Sequence, residues 1–91
     1  MNTFIVICKD KENSLDKRLA NRNFHLKYLQ TLKEKLVMAG PILDDRENPK
    51  GSILVIKFEN KKKLEEFLKK DPYTKVNLFE TVEIELFKRV F

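Results

Sequence analysis

Ser52-Ile53-Leu54-Val55-Ile56-Lys57-Phe58 is the clearest strand in the chain. Alternation puts Ile53 and Val55 on one side and Leu54, Ile56 and Phe58 on the other, so both faces are apolar. A strand of that kind is covered on both sides. Upstream, Asp44-Asp45-Arg46-Glu47-Asn48-Pro49-Lys50-Gly51 is dense in turn formers and reads as a loop. Before it, Met38–Leu43 reads as a short strand, with Pro41 favouring an edge. Downstream, Asn60 can cap a helix that runs through Lys70 with Leu64, Phe67 and Leu68 facing inward. Asp71-Pro72 breaks that helix. Val82, Ile84 and Leu86 then alternate with Thr81, Glu83 and Glu85, the pattern of a half-exposed final strand.

The amino-terminal half supplies one more strand and one more helix. Thr3–Lys9 is a β-branched, apolar run and reads as a strand with both faces covered. Ser14 can cap the first helix, with Asp16 near its positive end. Position 17 is lysine, so the reciprocal capping box is absent. The spacing predicts a helix to about Val37, and Gly40-Pro41 forbids its continuing. The order is β-α-β-β-α-β, an α+β, ferredoxin-like arrangement around an antiparallel sheet. Two helices cover only one face of such a sheet. An identical subunit, sheet against sheet, would cover the other, so the expectation is a homodimer or a higher oligomer.

Residues 1–91 make one domain, with 42% hydrophobic and 36% charged residues, as in globular rather than disordered chains. The single cysteine, Cys8, excludes an internal disulfide and any multi-cysteine metal site, and lies in an apolar run as a small core residue. There is no signal-like start and no stretch of about 18 apolar residues, which points to the cytoplasm and away from the membrane. The net charge of +5 is concentrated in Lys61-Lys62-Lys63 and Lys69-Lys70, a solvated helix face rather than a specific binding surface. The same element order belongs to the RNA-recognition fold, whose open sheet carries base-stacking aromatics. Ser52–Phe58 offers aliphatics where that aromatic motif would stand, so nucleic acid is not an expected partner.

The first helix carries Leu15, Leu19, Leu26, Leu29, Leu32 and Leu36 at spacings that define one apolar face. Arg22 falls near the middle of that face and His25, the only histidine, on its flank. Arg18, one turn earlier, is expected to be exposed. Burying an arginine without a partner is costly, so this face is expected to line a polar, ligand-sized cavity.

Ser14-Leu15-Asp16-Lys17-Arg18-Leu19, Arg22, His25-Leu26, Ala39-Gly40-Pro41, Asp71-Pro72-Tyr73 and Phe87-Lys88-Arg89-Val90-Phe91 together resemble the YciI-like family, also called the YCII-related domain, in the right order over nearly the whole chain. The resemblance implies a dimeric α+β barrel of ferredoxin-like subunits. It also implies a cleft site built on the histidine of the first helix and the aspartate of Asp-Pro-Tyr, here His25 and Asp71. Relatives include dehydrochlorinase-type enzymes acting on chlorinated aromatic rings; the wider superfamily includes muconolactone isomerases and monooxygenases.

On that basis His25 is a candidate general acid or base, since its reference pKa lies near neutrality. Asp71 has two compatible roles: capping a helix that starts at Pro72, and orienting the imidazole. Arg22 can clamp a carboxylate, phenolate or phosphate, or pair internally with Asp71 or Asp44. Tyr73 can wall the pocket and offer a hydroxyl, and Ser52 can hydrogen-bond a ligand. The chain has no serine-nucleophile motif, no zinc-like ligand spacing and no Gly-rich phosphate loop, and nothing singles out His25 as a haem ligand. The reading is a cofactor-independent, metal-free lyase or isomerase acting on a small anionic or ring substrate. The alternative is a non-catalytic ligand-binding or accessory dimer that uses the same pocket.

Overall fold

The computed structural model describes residues 1–91. Its elements are β1 (Asn2–Asp10), α1 (Leu15–Gln30), a single 3-10 turn (Lys33–Lys35), β2 (Leu36–Leu43), β3 (Pro49–Phe58), α2 (Lys61–Lys69), α3 (Pro72–Lys75) and β4 (Phe79–Leu86). The four strands form one sheet in the order β2-β3-β1-β4, and every neighbouring pair is antiparallel. This is the ferredoxin-like layout, with the short α3 added after α2.

The doubly apolar strands occupy the centre of the sheet. Phe4, Val6 and Cys8 of β1 and Leu54 and Ile56 of β3 face the helices, where Leu29, Leu32, Leu64 and Leu68 complete the buried core. Tyr28 ties α1 to α2: its hydroxyl donates to the Phe67 carbonyl at 2.7 Å and its ring stacks on Phe67 at 4.5 Å. Residues paired across an antiparallel ladder share a face. The opposite face therefore carries Ile5 beside Val55 and Ile7 beside Ile53, with Met38 next to Val55. No helix lies on that side. No helix is long and apolar enough to cross a membrane.

Three local expectations are corrected. The first helix stops at Gln30, not near Val37, because Lys33 takes a left-handed φ of 53° and turns the chain, freeing Leu36 to pair with Ile56. Ser14 stands at the helix start but makes no side-chain cap; its hydroxyl donates instead to the Glu12 carbonyl at 3.2 Å. Val82 and Leu86 of the final strand are exposed, and only Ile84 of the alternating set packs against the core. Asn60 does cap α2, accepting from the Lys63 N–H at 2.8 Å.

At Gly51 the backbone of β1 leaves no room for a side chain. A Cβ there would lie 2.4 Å from the Cys8 carbonyl oxygen, whereas one on Gly40 would meet nothing within 4 Å. Gly51→Ala should therefore destabilise the fold by about 1–3 kcal/mol, the usual scale of overpacking, while Gly40→Ala should cost less than about 0.5 kcal/mol. Urea unfolding of the two variants measures the contrast.

Candidate active site

The site begins on α1. Seven residues at about 100° each fall roughly 20° short of two full turns, so Arg18 and His25 project from one stripe of the helix. Both are buried, at 3% and 5% exposure. Opposite them the chain leaves α2 and starts α3. Asp71 is the N-cap of α3, accepting from the Tyr73 N–H at 2.9 Å, and Pro72 fills the first helical position, where no N–H is needed.

The cap brings Asp71 against His25. Nδ1 of His25 lies 2.9 Å from Oδ1 and 2.8 Å from Oδ2 of Asp71. An ionised carboxylate can only accept, so a neutral imidazole facing it would carry its proton on Nδ1 and leave the Nε2 lone pair free. Tyr73, two residues after Asp71, stacks its ring on the imidazole at 4.0 Å with 16° between the planes. Burial pushes the Tyr73 phenol up, opposed by the charges of Arg18 and Arg22, so its hydroxyl stays protonated at neutral pH.

Arg18 also lies over the Tyr73 ring, its guanidinium carbon 4.7 Å from the centroid. Nε donates to Asp10 Oδ2 at 2.6 Å, and Nη2 donates to Asp10 Oδ1 at 2.9 Å and to Ser52 Oγ at 2.9 Å. Burial works against the guanidinium charge, but Asp10 outweighs it and holds Arg18 above its ordinary value. No buried side-chain nitrogen or oxygen in the fold lacks a partner.

Beside these groups is a cavity of about 180 Å³, lined by Arg18, Arg22, His25, Ser52 and Tyr73 together with apolar side chains that include Leu26 and Leu29. For scale, an apolar cavity of about 150 Å³ takes up benzene. The space fits one six-membered ring. No group of three or more His, Cys, Asp or Glu side chains is placed to hold a metal ion.

Of the five sequence-predicted site residues, Arg22, His25, Ser52 and Tyr73 line the cavity and Asp71 stands behind His25, but two expectations about arginine are reversed. Arg22 is exposed and makes no ion pair with Asp71 or Asp44; it stands at the cavity wall. Arg18, expected in solvent, is the buried one. The leucines misplace the centre of the helix face: Leu19 and Leu26, at 53% and 37% exposure, lie on its flank beside the cavity. Arg18, His25 and Leu29 mark the true buried stripe. Asp10 was also missed. Its signal was present, because Asp10 continues the alternation of Phe4, Val6 and Cys8 toward the helices.

Comparison with known proteins agrees with this architecture. The YCII-related domain model matches residues 2–88. The chain belongs to the YCII-related domain family. It is 33% identical over 96 residues to the protein YciI of Escherichia coli O6:H1, covering 97% of this chain and 98% of that protein. An uncharacterized protein of Haemophilus influenzae is 35% identical over 97 residues, with 97% and 98% covered. Among solved structures, 5-chloro-2-hydroxyhydroquinone dehydrochlorinase (TftG) from Burkholderia phenoliruptrix, in complex with 2,5-dihydroxybenzoquinone, superposes with a TM-score of 0.88 at 34% identity, over 94% of this chain and 93% of that one. An antibiotic biosynthesis monooxygenase shares the fold at 11% identity, with a TM-score of 0.60 and 99% of both chains covered.

Cys8 lies behind the site, and burial, reinforced by the Asp71 charge, pushes its thiol up to about 12. A free cysteine ionises near 8.5, so the unfolded chain gives up this proton first. The contribution to stability is complete below the unfolded value and is lost as pH rises toward the folded one. Between pH 8 and 10.5 the melting temperature should fall, and Cys8→Ala should flatten the fall. Scanning calorimetry across that window reads the difference.

Proposed function

We propose that this YCII-related chain is a cofactor-independent acid–base enzyme of lyase or isomerase type, moving a proton between oxygen and carbon on a small hydroxylated ring. The observation that carries the reading is the buried His25–Asp71 contact beside a cavity of one-ring size. Asp71 fixes the Nδ1–H tautomer and stabilises the imidazolium once His25 has taken a proton, while Nε2 does the exchange. Ser52, Tyr73 and Arg22 bind the substrate: two hydroxyls for its oxygens and a cation at the wall.

The likeness to a dehydrochlorinase supports a definite reaction. On 5-chloro-2-hydroxyhydroquinone, His25 removes the proton of the hydroxyl next to the chlorinated carbon and delivers it to that carbon, giving a ketone with an sp³ C–H and C–Cl. A second hydroxyl, conjugated with the same carbon, then loses its proton as the C–Cl bond breaks and its electron pair leaves with chloride. The balance is substrate to hydroxybenzoquinone plus HCl, with no external oxidant.

The assembly belongs to the same proposal: a cytoplasmic homodimer formed by the uncovered sheet face. Ile5, Ile7, Ile53, Val55 and Met38 share that face, and two such sheets can bury about 1,200–2,000 Å². Light scattering at micromolar concentration should return twice the 10.8 kDa chain mass; a monomer there would remove the barrel.

Chloride release from 5-chloro-2-hydroxyhydroquinone tests the chemistry, with deuterium exchange at ring carbons in D₂O as a readout independent of the leaving group. His25→Ala should lower both rates by about 10²–10⁴-fold, and Asp71→Asn by at least about 100-fold, with ring binding retained. A native protein that binds the ring but neither releases chloride nor exchanges deuterium would be a binding module instead.

A further inference from the structure

Ala39-Gly40-Pro41 has no part in the proton transfer, yet it interrupts β2 where that strand passes the cavity. The strand reads Leu36-Val37-Met38 before these three residues and Ile42-Leu43 after them. Alanine, glycine and proline are all poor strand formers, and here they stand between large apolar side chains. The register shows where each one points. Ala39 pairs with Leu54 and Pro41 with Ser52, so both face the helices, as Leu54 and Ser52 do. Gly40 pairs with Ile53 and faces the other way. Ala39 and Pro41 both line the cavity.

β2 is an edge strand, so the wall it gives the cavity borders solvent. The helix side of that border is Leu19, Arg22 and Leu26, three exposed residues on one flank of α1 that line the same cavity. Ordinary packing would close the border with a large side chain on the strand and leave the leucines dry. Ala39 instead carries a single methyl and is itself exposed, and Leu19 and Leu26 stay in water. A chain with a small core thereby forgoes hydrophobic stabilisation. Such a break in the local pattern, with no gain in packing, is expected where a ligand must fit. The cavity holds one ring, and Leu29, Leu54 and Tyr73 are buried walls, so a substituent on that ring has its room at the border with β2.

We propose that Ala39 determines which rings the cavity accepts: its single methyl leaves a slot between the α1 flank and the β2 edge that takes one ring substituent of about methyl or chlorine size. This rests on the reading of the cavity as a one-ring site and specifies the substrate class, hydroxylated rings that carry a further small substituent. A larger residue at position 39 would occupy the slot and restrict the site to bare rings.

Binding of two rings that differ by one methyl group tests it without turnover, since methyl cannot leave. The probes are 2,5-dihydroxybenzoquinone and its 3-methyl derivative, which present the same oxygens and the same charge at neutral pH, titrated by calorimetry. The native protein should bind the methylated ring at least as tightly as the bare one. In Ala39→Leu the methylated ring should lose about 10- to 100-fold in affinity, the scale of one misfitted methyl group in an apolar pocket. The bare ring should change by less than about threefold. Ala39→Ser, which hardly alters the volume, should keep the native preference. If Ala39→Leu does not fold, Ala39→Val serves and should shift the ratio the same way by a smaller factor. Equal losses for both rings, an unchanged ratio in a folded variant, or a native protein that rejects the methylated ring would overturn the proposal. If the native protein bound neither ring, the slot and the one-ring reading would fall together. A shifted ratio in a protein that neither releases chloride nor exchanges deuterium would keep the slot and remove only the proton transfer.

Discussion

The Asp71 carboxylate is the constraint on which the site depends. One oxygen satisfies the Tyr73 N–H and starts α3, and both lie within 2.9 Å of Nδ1 of His25 on α1. Asp71 is 2% exposed, so its charge is tolerable only because every one of these donors is present. If the imidazole is withdrawn, a buried carboxylate is left with a single N–H. If the carboxylate is withdrawn, α3 loses its cap and the imidazole its fixed tautomer. Fold and site are held by the same atoms.

Much of this was legible in the sequence for a physical reason. Strands apolar on both faces have a composition that ordinary surface strands lack, so Thr3–Lys9 and Ser52–Phe58 declared the centre of the sheet, and the element order followed. Asp71-Pro72 declared a helix start because proline at the first helical position is a local, sterically enforced preference. The arginines were not legible in the same way. A leucine count locates the apolar side of a helix, not its buried side, and the two differ wherever a cavity opens beside the helix. Leu19 and Leu26 are drawn toward the cavity, so the stripe computed from leucines is centred on Arg22, although the protein buries Arg18, His25 and Leu29. The end of α1 was illegible for a similar reason: a non-glycine residue, Lys33, takes the left-handed turn, and no composition signal marks it.

The cost of the arrangement falls on a small core. Only 17 of 91 residues are buried, and Arg18, His25, Ser52 and Asp71 are four of them. A chain of this size has little apolar burial to spare, yet it places an arginine–aspartate ion pair and a histidine–aspartate hydrogen bond where leucines would pack with less desolvation. The uncovered sheet face bears on this balance: Ile5, Ile7, Ile53 and Met38 represent apolar area not yet used by a single chain. Covering it would add hydrophobic stabilisation far from the cavity, leaving the helix-covered side of the sheet free to carry chemistry.

Tyr73 shows how a very short segment can organise such chemistry. Its N–H closes the cap on Asp71, and its ring lies against His25 at 4.0 Å and Arg18 at 4.7 Å. Phe79 holds the ring edge-on at 5.9 Å, so the residue is fixed from the strand side as well. α3 is only four residues long, too short to persist by helix propensity alone; its cap and the stacked rings hold it. Three consecutive residues, Asp71-Pro72-Tyr73, thus supply the charge that orients the histidine, the backbone angle that presents it, and the ring contacting both basic side chains. A substitution at Pro72 would therefore act on proton transfer without touching a ligand, by loosening the turn that brings Asp71 and Tyr73 to α1 together.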